Sequence, residues 1–240
     1  MVANLLKTAF RSILKNRTLS LFSIAGLAMA MAAAVLLLTY VHFETHFDTF
    51  HDGADRIYRI YSVYNNLDNE VQKVGLSMGR FAPAIAELPD VEAACRFFPV
   101  VNEIAADGKR YAETTAMAAD AALFDIFDFH WLAGTAGAGF SDPGSAVVSR
   151  SLSVKLWGRI RADVPTVTFA GREFQVVGVF EDSPVNSEMR FDLIVSVNAF
   201  PFMLQQKSNE FHTFFKLTPR AVPAAALAAV DRVCKAILKS

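Results

Sequence analysis

The feature that most constrains this chain is a run of 24 residues without a charged side chain, from Thr18 to Val41. A helix of this length, rising about 1.5 Å per residue, would be roughly 36 Å long and could cross a hydrocarbon layer of about 30 Å. The alternative of a signal peptide requires a shorter apolar core, usually about 7–15 residues. A buried core helix would show a polar face, and none interrupts the run. We therefore predict an uncleaved transmembrane helix over residues 18–41.

The charges that flank this run predict the side of the membrane on which each part of the chain lies. Residues 1–17 contain four basic side chains and no acidic one, whereas residues 42–55 contain four acidic side chains and no Lys or Arg. The positive-inside rule then predicts a cytoplasmic N-terminus, with residues 42–240 outside the cytoplasmic membrane. That part carries 19 basic and 24 acidic residues, so 19 − 24 = −5 within a chain of net charge −1. This charge disfavours a nucleic-acid-binding module or a basic surface for anionic lipid.

The first segment combines an apolar stripe with a basic one. Six apolar residues recur at helical spacing, and three basic residues lie four apart on another face: Leu5, Leu6, Ala9, Phe10, Ile13 and Leu14, then Lys7, Arg11 and Lys15. This pattern favours an amphipathic helix in the headgroup region. The alternative is a plain cytoplasmic extension of the spanning helix.

Short strands and helices are predicted along the exported part. The predicted strands cover 56–64, 91–101, 167–169, 174–180, 191–197 and 211–217, and the predicted helices cover 77–88, 119–127, 149–157 and 223–238. Asp52-Gly53 is typical of a turn, and Asp107-Gly108 and Ala170-Gly171 are typical of hairpins. Residues 134–144 form a loop of small residues. The last helix should bury one stripe, namely Leu227, Val230, Cys234 and Ile237.

Candidate metal ligands lie just after the apolar run, at His42, Glu44, His46, Asp48 and His51. Two histidines four residues apart on a helix would point to the same side, as zinc sites require. The order does not match His-Glu-x-x-His, however, and polar residues at the end of a membrane helix need no metal. We assign no metal site and no cofactor.

The sequence shows no nucleotide-binding motif. The loop GTAGAGFSDPG fits no phosphate-binding pattern, and no Walker A motif occurs. Asp125 and Asp128, three apart in a predicted helix, fit a solvated edge better than an acid–base pair. Cys95 and Cys234 lack a Cys-x-x-Cys partner and are predicted to be two free, buried thiols, although the compartment would permit a disulfide. We therefore name no catalytic residue.

Several stretches, taken in order, resemble FtsX-like ABC transporter permeases that carry a MacB-like periplasmic core domain. Such permeases show a basic A-x-R-x-x-x-K-N helix, a Gly-Leu pair in the first span and a D-x-F-H…A-D-R-I-Y-R segment after it. These features fall here on Ala9, Arg11, Lys15 and Asn16; on Gly26 and Leu27; and on Asp48, Phe50, His51, Ala54, Asp55, Arg56, Ile57, Tyr58 and Arg59. Further similar stretches cover 87–97, 119–134, 147–158 and 174–196, so the resemblance spans nearly the whole chain.

The chain also departs from the family pattern. A second glycine of the first span is Ala30 here, the turn after Gly158 is rebuilt around Pro165, and Glu188 replaces the histidine of an Asn-Ser-His motif. Such permeases continue into at least three more membrane helices, whereas this sequence stops at Ser240. We expect it to represent the N-terminal part of a permease.

The resemblance implies an α+β fold: one N-terminal transmembrane helix followed by a two-lobed extracytoplasmic domain. A porter-like lobe would comprise 56–101 and 211–238, and an inserted β-rich lobe would comprise 105–197, within a core domain over 42–240. The chain would be a non-catalytic permease component, with ATP hydrolysis in a separate ABC ATPase subunit. Arg11 and Lys15, in the segment 1–17, would lie near that ATPase and couple to it.

The resemblance also implies further partners and leaves other function classes to weigh. Expected partners are a second permease protomer, as a homodimer or heterodimer, and a periplasmic adaptor or lipoprotein, but no nucleic acid. The main alternative is a single-pass membrane-anchored sensor or ligand-binding protein, but only 17 residues would face the cytoplasm as its output. A membrane-anchored hydrolase is disfavoured since no nucleophile–base arrangement is visible.

Overall fold

The computed structural model describes residues 11, 15–45, 51–65, 70–112, 115–134, 136, 138–161, 163, 165–184, 187, 189–205 and 209–239. The chain divides into two compact units, one up to residue 47 and one from residue 48 onward. The predicted amphipathic segment Leu5–Lys15 lies largely outside the described residues.

The first unit contains one long helix, α1 (Arg17–Thr45), of 29 residues. It is long and apolar enough to cross a membrane, and none of its residues is buried in the protein. Phe22, for example, exposes 78% of its surface. The Thr39 and Thr45 hydroxyls donate to carbonyls one turn earlier, at 2.8 Å each, so they satisfy their polar groups within the helix. The helix therefore contains the predicted span and extends beyond it at both ends.

The second unit is built on strands with short helices. The strands are β1 (Ile57–Arg59), β2 (Ser62–Asn65), β3 (Val71–Val74), β4 (Ser77–Met78), β5 (Val91–Val100), β6 (Ile104–Ala106), β7 (Lys109–Tyr111), β8 (Ala116–Ala119), β9 (Trp131–Gly134), β10 (Ser145–Ser149), β11 (Thr166–Phe169), β12 (Arg172–Phe180), β13 (Leu193–Ser196) and β14 (Asn209–Leu217). The helices are α2 (Phe81–Ala86), α3 (Leu123–Ile126), α4 (Arg150–Trp157), α5 (Pro201–Gln205) and α6 (Pro223–Leu238). The α+β class is thus confirmed.

Twelve of the strands form one sheet in the order β1-β14-β5-β8-β13-β10-β12-β11-β6-β7, with β4 pairing β14 and β9 pairing β12. The pairs β8–β13 and β10–β12 are parallel, and β2 and β3 form a separate antiparallel hairpin. Helices α2 and α6 contribute Phe81, Ile85 and Val230 to a core shared with Phe215 and Leu217 of β14. The division of this unit into two lobes stays a prediction.

Elements with local sequence signals are confirmed. Helix α4 begins after Ser149, whose hydroxyl accepts from the Leu152 N–H at 3.1 Å, and ends at Gly158 with φ 72°. Helix α6 has the predicted bounds, and Asp107-Gly108 closes a hairpin with both residues at positive φ. Both cysteines are free, as predicted; Cys95 is buried and Cys234 half-buried. Burial raises the pKa of the Cys234 thiol to about 11 and that of Cys95 well above 9.0.

Two predicted helices are shorter than expected because their first residues pair with strands. Residues 77–78 form β4, because their backbone pairs with β14, so the helix starts only at Phe81. The buried Ser77 hydroxyl lies 3.0 Å from the Phe211 carbonyl oxygen and 2.7 Å from the Thr213 hydroxyl. Ala119 ends β8, which pairs with both β5 and β13, so α3 covers only 123–126.

Other predictions need smaller corrections. The predicted strand 56–64 breaks between β1 and β2, and β9 occupies 131–134, where its last residue opens the predicted loop. The buried stripe of α6 includes Ala226 in place of Leu227, which is 36% exposed. Asp128 does not share a helix with Asp125, because α3 ends at Ile126.

Candidate functional site

The segment His51–Arg59, here called the incoming segment, ends in β1, the first strand of the large sheet. This strand lies beside β14, the last strand of the sheet in the sequence. β1 pairs antiparallel with β14, with Ile57 opposite Lys216 and Arg59 opposite Phe214. The start of β1 therefore lies next to the end of β14, from which the chain continues into α6. β14 in turn pairs with β5 from His212 to Leu217. The incoming and outgoing chain thus meet on one strand pair at an edge of the sheet.

Arg56 connects three strands at this point, which we call the junction. Its Nη1 donates to Glu92 Oε2 of β5 at 2.8 Å and to the Leu217 carbonyl of β14 at 2.6 Å. Both side chains of this ion pair are partly exposed, at 27% for Arg56 and 41% for Glu92. Gly53 precedes Arg56 with φ 74°, and a Cβ there would lie 2.8 Å from the guanidinium. The glycine therefore permits both the turn and the approach of Arg56.

Alternation along β1 places its side chains on the two faces of the sheet. Tyr58 stacks on Phe215 at 5.6 Å, on the face covered by α2 and α6. On the other face, Arg59 Nη2 contacts His212 Nδ1 at 2.7 Å, and its guanidinium lies 5.4 Å from the Phe214 ring centroid. The run Arg-Ile-Tyr-Arg of the sequence pattern therefore fastens β1 to β14 on both faces.

His51 and Asp52 attach the incoming segment to a second part of the domain, the loop 127–130 after α3. The Asp128 N–H donates to His51 Nδ1 at 3.1 Å, and the Asp52 N–H donates to Asp128 Oδ2. The His51 ring is buried and meets Phe127 edge-on at 5.1 Å. Asp128 is 76 residues from Asp52, so no local pattern could have shown this contact.

A cavity of about 520 Å³ adjoins His51. Ionisable groups on its wall are Asp128, His130, Arg150, Glu181 and Asp182. Asp182 is engaged, because its carboxylate accepts the Ser151 N–H at 2.9 Å and the Ser151 hydroxyl at 2.6 Å. Among the described residues, no group of three His, Cys, Asp or Glu side chains could hold a metal ion.

The two residues predicted to couple to an ATPase lie in the first unit. Arg11 and Lys15 are helical and exposed, and their role toward an ATPase stays a prediction. Of the candidate metal ligands, His42 and Glu44 are exposed on α1, His51 is buried in the second unit, and His46 and Asp48 lie outside the described residues. Sequence reasoning missed Glu92, because its only signal is a single acidic residue at the start of a predicted strand.

Comparison with known proteins places this geometry in context. The sequence profile of the MacB-like periplasmic core domain matches residues 20–233. A permease-protein domain from Porphyromonas gingivalis is similar in structure with a TM-score of 0.64 and 26% identity, covering 77% of this chain and 82% of that one. No relative among the curated proteins matches the sequence significantly.

Two further solved structures share the fold at lower identity. The periplasmic region of MacB from Actinobacillus actinomycetemcomitans has a TM-score of 0.60 at 13% identity, covering 77% of this chain and 85% of that one. The extracellular domain of the noncanonic ABC-type transporter YknZ from Gram-positive bacteria has a TM-score of 0.56 at 12% identity, covering 77% and 94%.

Proposed function

The chain belongs to the family with a MacB-like periplasmic core domain, an ABC transporter permease domain, and we propose that it transmits an ATP-driven conformational change that moves or releases a substrate. The domain is a non-catalytic transporter component, and ATP is hydrolysed by a separate ABC ATPase. In this proposal the N-terminus lies in the cytoplasm, α1 crosses the inner membrane, and the sheet domain lies in the periplasm. Arg11 and Lys15 lie on the ATPase side.

The observation that carries this proposal is the junction. A displacement of the chain on the membrane side reaches the domain through the incoming segment, and β1 is tied to β14 and β5 by Arg56 at 2.6 and 2.8 Å. A hydrogen-bonded sheet resists shear, so movement at its edge is passed on to β5 and the strands beyond rather than absorbed locally. A second permease protomer, identical or not, and a periplasmic adaptor or lipoprotein complete the proposed assembly.

The proposal is tested with the full permease assembled with its ATPase, using a fluorophore on Lys109→Cys, an exposed position in β7. The probe signal is expected to change on addition of ATP. Charge reversal at Arg11 and Lys15 to Glu should abolish this response while the ATPase still hydrolyses ATP. An unchanged response in the reversed variant would contradict the proposed coupling.

The junction is tested in the same assembly with Arg56→Gln. This change removes the cation that joins Glu92 to the Leu217 carbonyl, so we expect the ATP-dependent probe response to fall several-fold. Arg110→Gln is the matched control, because Arg110 is 83% exposed on the outermost strand and makes only a 4.0 Å contact with Glu103. Equal responses of the two variants would contradict a role for the junction.

A further inference from the structure

His51, Asp52 and Asp128 form a closed ring of two hydrogen bonds between the incoming segment and the loop 127–130. One bond runs from the Asp128 N–H to His51 Nδ1 at 3.1 Å, and the other from the Asp52 N–H to Asp128 Oδ2. Asp128 thus acts as donor through its backbone and as acceptor through its side chain. We propose that this ring is a pH-sensitive latch, closed when His51 is neutral and opened when His51 takes up a proton.

The direction of the switch follows from the role of each nitrogen. Nδ1 accepts a hydrogen bond in the closed latch, so it carries no proton and the ring is neutral with its proton on Nε2. A protonated imidazole carries N–H groups at both nitrogens and cannot accept the Asp128 amide. Its new Nδ1–H would instead face Asp128 Oδ2, 3.7 Å away, which is the atom that accepts from the Asp52 N–H. Protonation therefore removes the bond from the Asp128 N–H, and the charged ring competes with the Asp52 N–H for Asp128 Oδ2.

Some features around His51 disfavour its protonated form and others favour it. Its side chain is only 5% exposed and packs on Phe127, which disfavours a charged ring. The ionisable groups that face it across the neighbouring cavity are Asp128 and His130 from the same loop, Arg150 from α4, and Glu181 and Asp182 after β12, while Asp52 follows it on its own segment. The carboxylates among these outnumber the single guanidinium and favour the imidazolium. The reference pKa of an imidazole in water is about 6.5.

The consequence for transport rests on the proposed function. With the latch closed, the incoming segment is held to the loop 127–130 as well as to β5 and β14 at the junction. With the latch open, the segment is still held by the junction and by the pairing of β1 with β14. Acidification outside the cytoplasm would then loosen one of the connections by which movement enters the domain.

The latch is tested by hydrogen exchange of the full chain in lipid nanodiscs between pH 8 and 5, reading peptides that cover residues 127–130. Protection is the exchange rate of the unstructured chain divided by the measured rate at the same pH, so the pH dependence of the exchange chemistry itself is removed. We expect protection at Asp128 to fall about tenfold with acidification, as the loss of the one hydrogen bond that its N–H donates to His51 predicts. In His51→Asn, the amide oxygen can accept from the same N–H without titrating, so protection should stay constant. His130→Asn, which changes a histidine on the same cavity, should behave like the unsubstituted chain.

Constant protection in the unsubstituted chain, or a pH-dependent loss that persists in His51→Asn, would overturn the proposal. Should His51→Asn fail to fold, the ¹⁵N shifts of His51 in the unsubstituted chain decide the question. An unprotonated Nδ1 at pH 8 that gains a proton by pH 5 supports the latch, and a protonated Nδ1 at pH 8 overturns it. These measurements need neither ATPase nor substrate. The latch can therefore be disproved while the ATP response of the assembled transporter is observed, and the ATP response can be absent while the latch is observed.

Discussion

At the scale of single residues, Arg96 and Asp120 show how a buried charge is held in the middle of the sheet. Arg96 Nε lies 3.2 Å from Asp120 Oδ2, and the backbone N–H of Arg96 donates to the same oxygen at 3.0 Å. The Asp120 N–H donates back to the Arg96 carbonyl at 3.1 Å. The two side chains are 12% and 23% exposed. The pair therefore joins β5 to the end of β8 through both backbone and side-chain atoms.

Removing the carboxylate should be costly. Asp120→Ala leaves the Arg96 N–H without its acceptor and a largely buried guanidinium without its counter-charge, so we expect it to lower the free energy of unfolding by about 2–3 kcal/mol. Asp120→Asn keeps an oxygen for the N–H and should lose less. Denaturant unfolding in detergent, followed by the fluorescence of Trp131 and Trp157, measures both variants. Equal and negligible losses would show that the pair does not stabilise the sheet.

The same carboxyl predicts a pH dependence of stability. Burial raises the pKa of Asp120 above 3.8, although Arg96 beside it acts in the opposite direction. The folded protein therefore keeps a proton at Asp120 at pH values where the unfolded chain has lost it, and stability gains as pH falls through the folded-state pKa towards 3.8. The unfolding free energy of the unsubstituted chain minus that of Asp120→Asn should grow as the pH is lowered from 7 to about 4, because only the unsubstituted chain takes up this proton. A difference that stays flat or shrinks would contradict this assignment.

At the scale of elements, the sequence predicted those whose signals are local. Helix α4 has its serine cap and its closing glycine, and the hairpin at Asp107-Gly108 needs only two residues with positive φ. Helical periodicity overestimated the length of the helices predicted over 77–88 and 119–127, because Ser77 and Ala119 pair with strands instead. Pairing partners more than a hundred residues away, such as Phe211 for Ser77, leave no trace in a local pattern.

Strand β9 was not predicted, and Gly134 shows why it needs its neighbours. Gly134 has φ 60° and lies opposite Gly178 of β12, so close that a Cβ would be 2.2 Å from the Val177 carbonyl oxygen. Small residues on both strands permit this approach. In the sequence they resemble only the start of a flexible loop.

Gly134→Ala should therefore be strongly destabilising. The left-handed backbone and the clash with Val177 together should cost about 2–4 kcal/mol of unfolding free energy. Gly139→Ala is the matched control, because a Cβ at Gly139 meets nothing within 4 Å, and its cost should stay within about 0.5 kcal/mol. Equal thermal or denaturant midpoints for the two variants would contradict the close pairing of β9 and β12.

At the scale of the whole molecule, the proposed transmission of movement depends on the order of the strands in the sheet. β1 and β14 are joined at the junction, and from β14 the sheet continues through β5 and β8 to the β6–β7 hairpin at the other end. The class of fold was predictable from alternating short elements and from the family resemblance. The junction was not, since Arg56, Glu92 and Leu217 come from three distant parts of the chain.

The spanning helix was the most predictable element, because a long uncharged run indicates it without any pairing to distant parts of the chain. Its exposed apolar surface, from Leu19 to Val41, is what a helix surrounded by lipid requires. The proposed orientation follows from charge asymmetry alone. The proposed coupling depends on it, because the proposal requires the ATPase and residues 1–17 to be on the cytoplasmic side of the membrane.

Thiol labelling in spheroplasts tests this central claim most directly. Lys15→Cys and Lys109→Cys each place a thiol at an exposed lysine position, the first before α1 in the sequence and the second after it. Labelling of the unsubstituted chain, with its buried Cys95 and half-buried Cys234, gives the background. A membrane-impermeant maleimide should label Lys109→Cys in intact spheroplasts and Lys15→Cys only after permeabilisation. Labelling of Lys15→Cys in intact spheroplasts, with Lys109→Cys protected until the membrane is opened, would contradict the account.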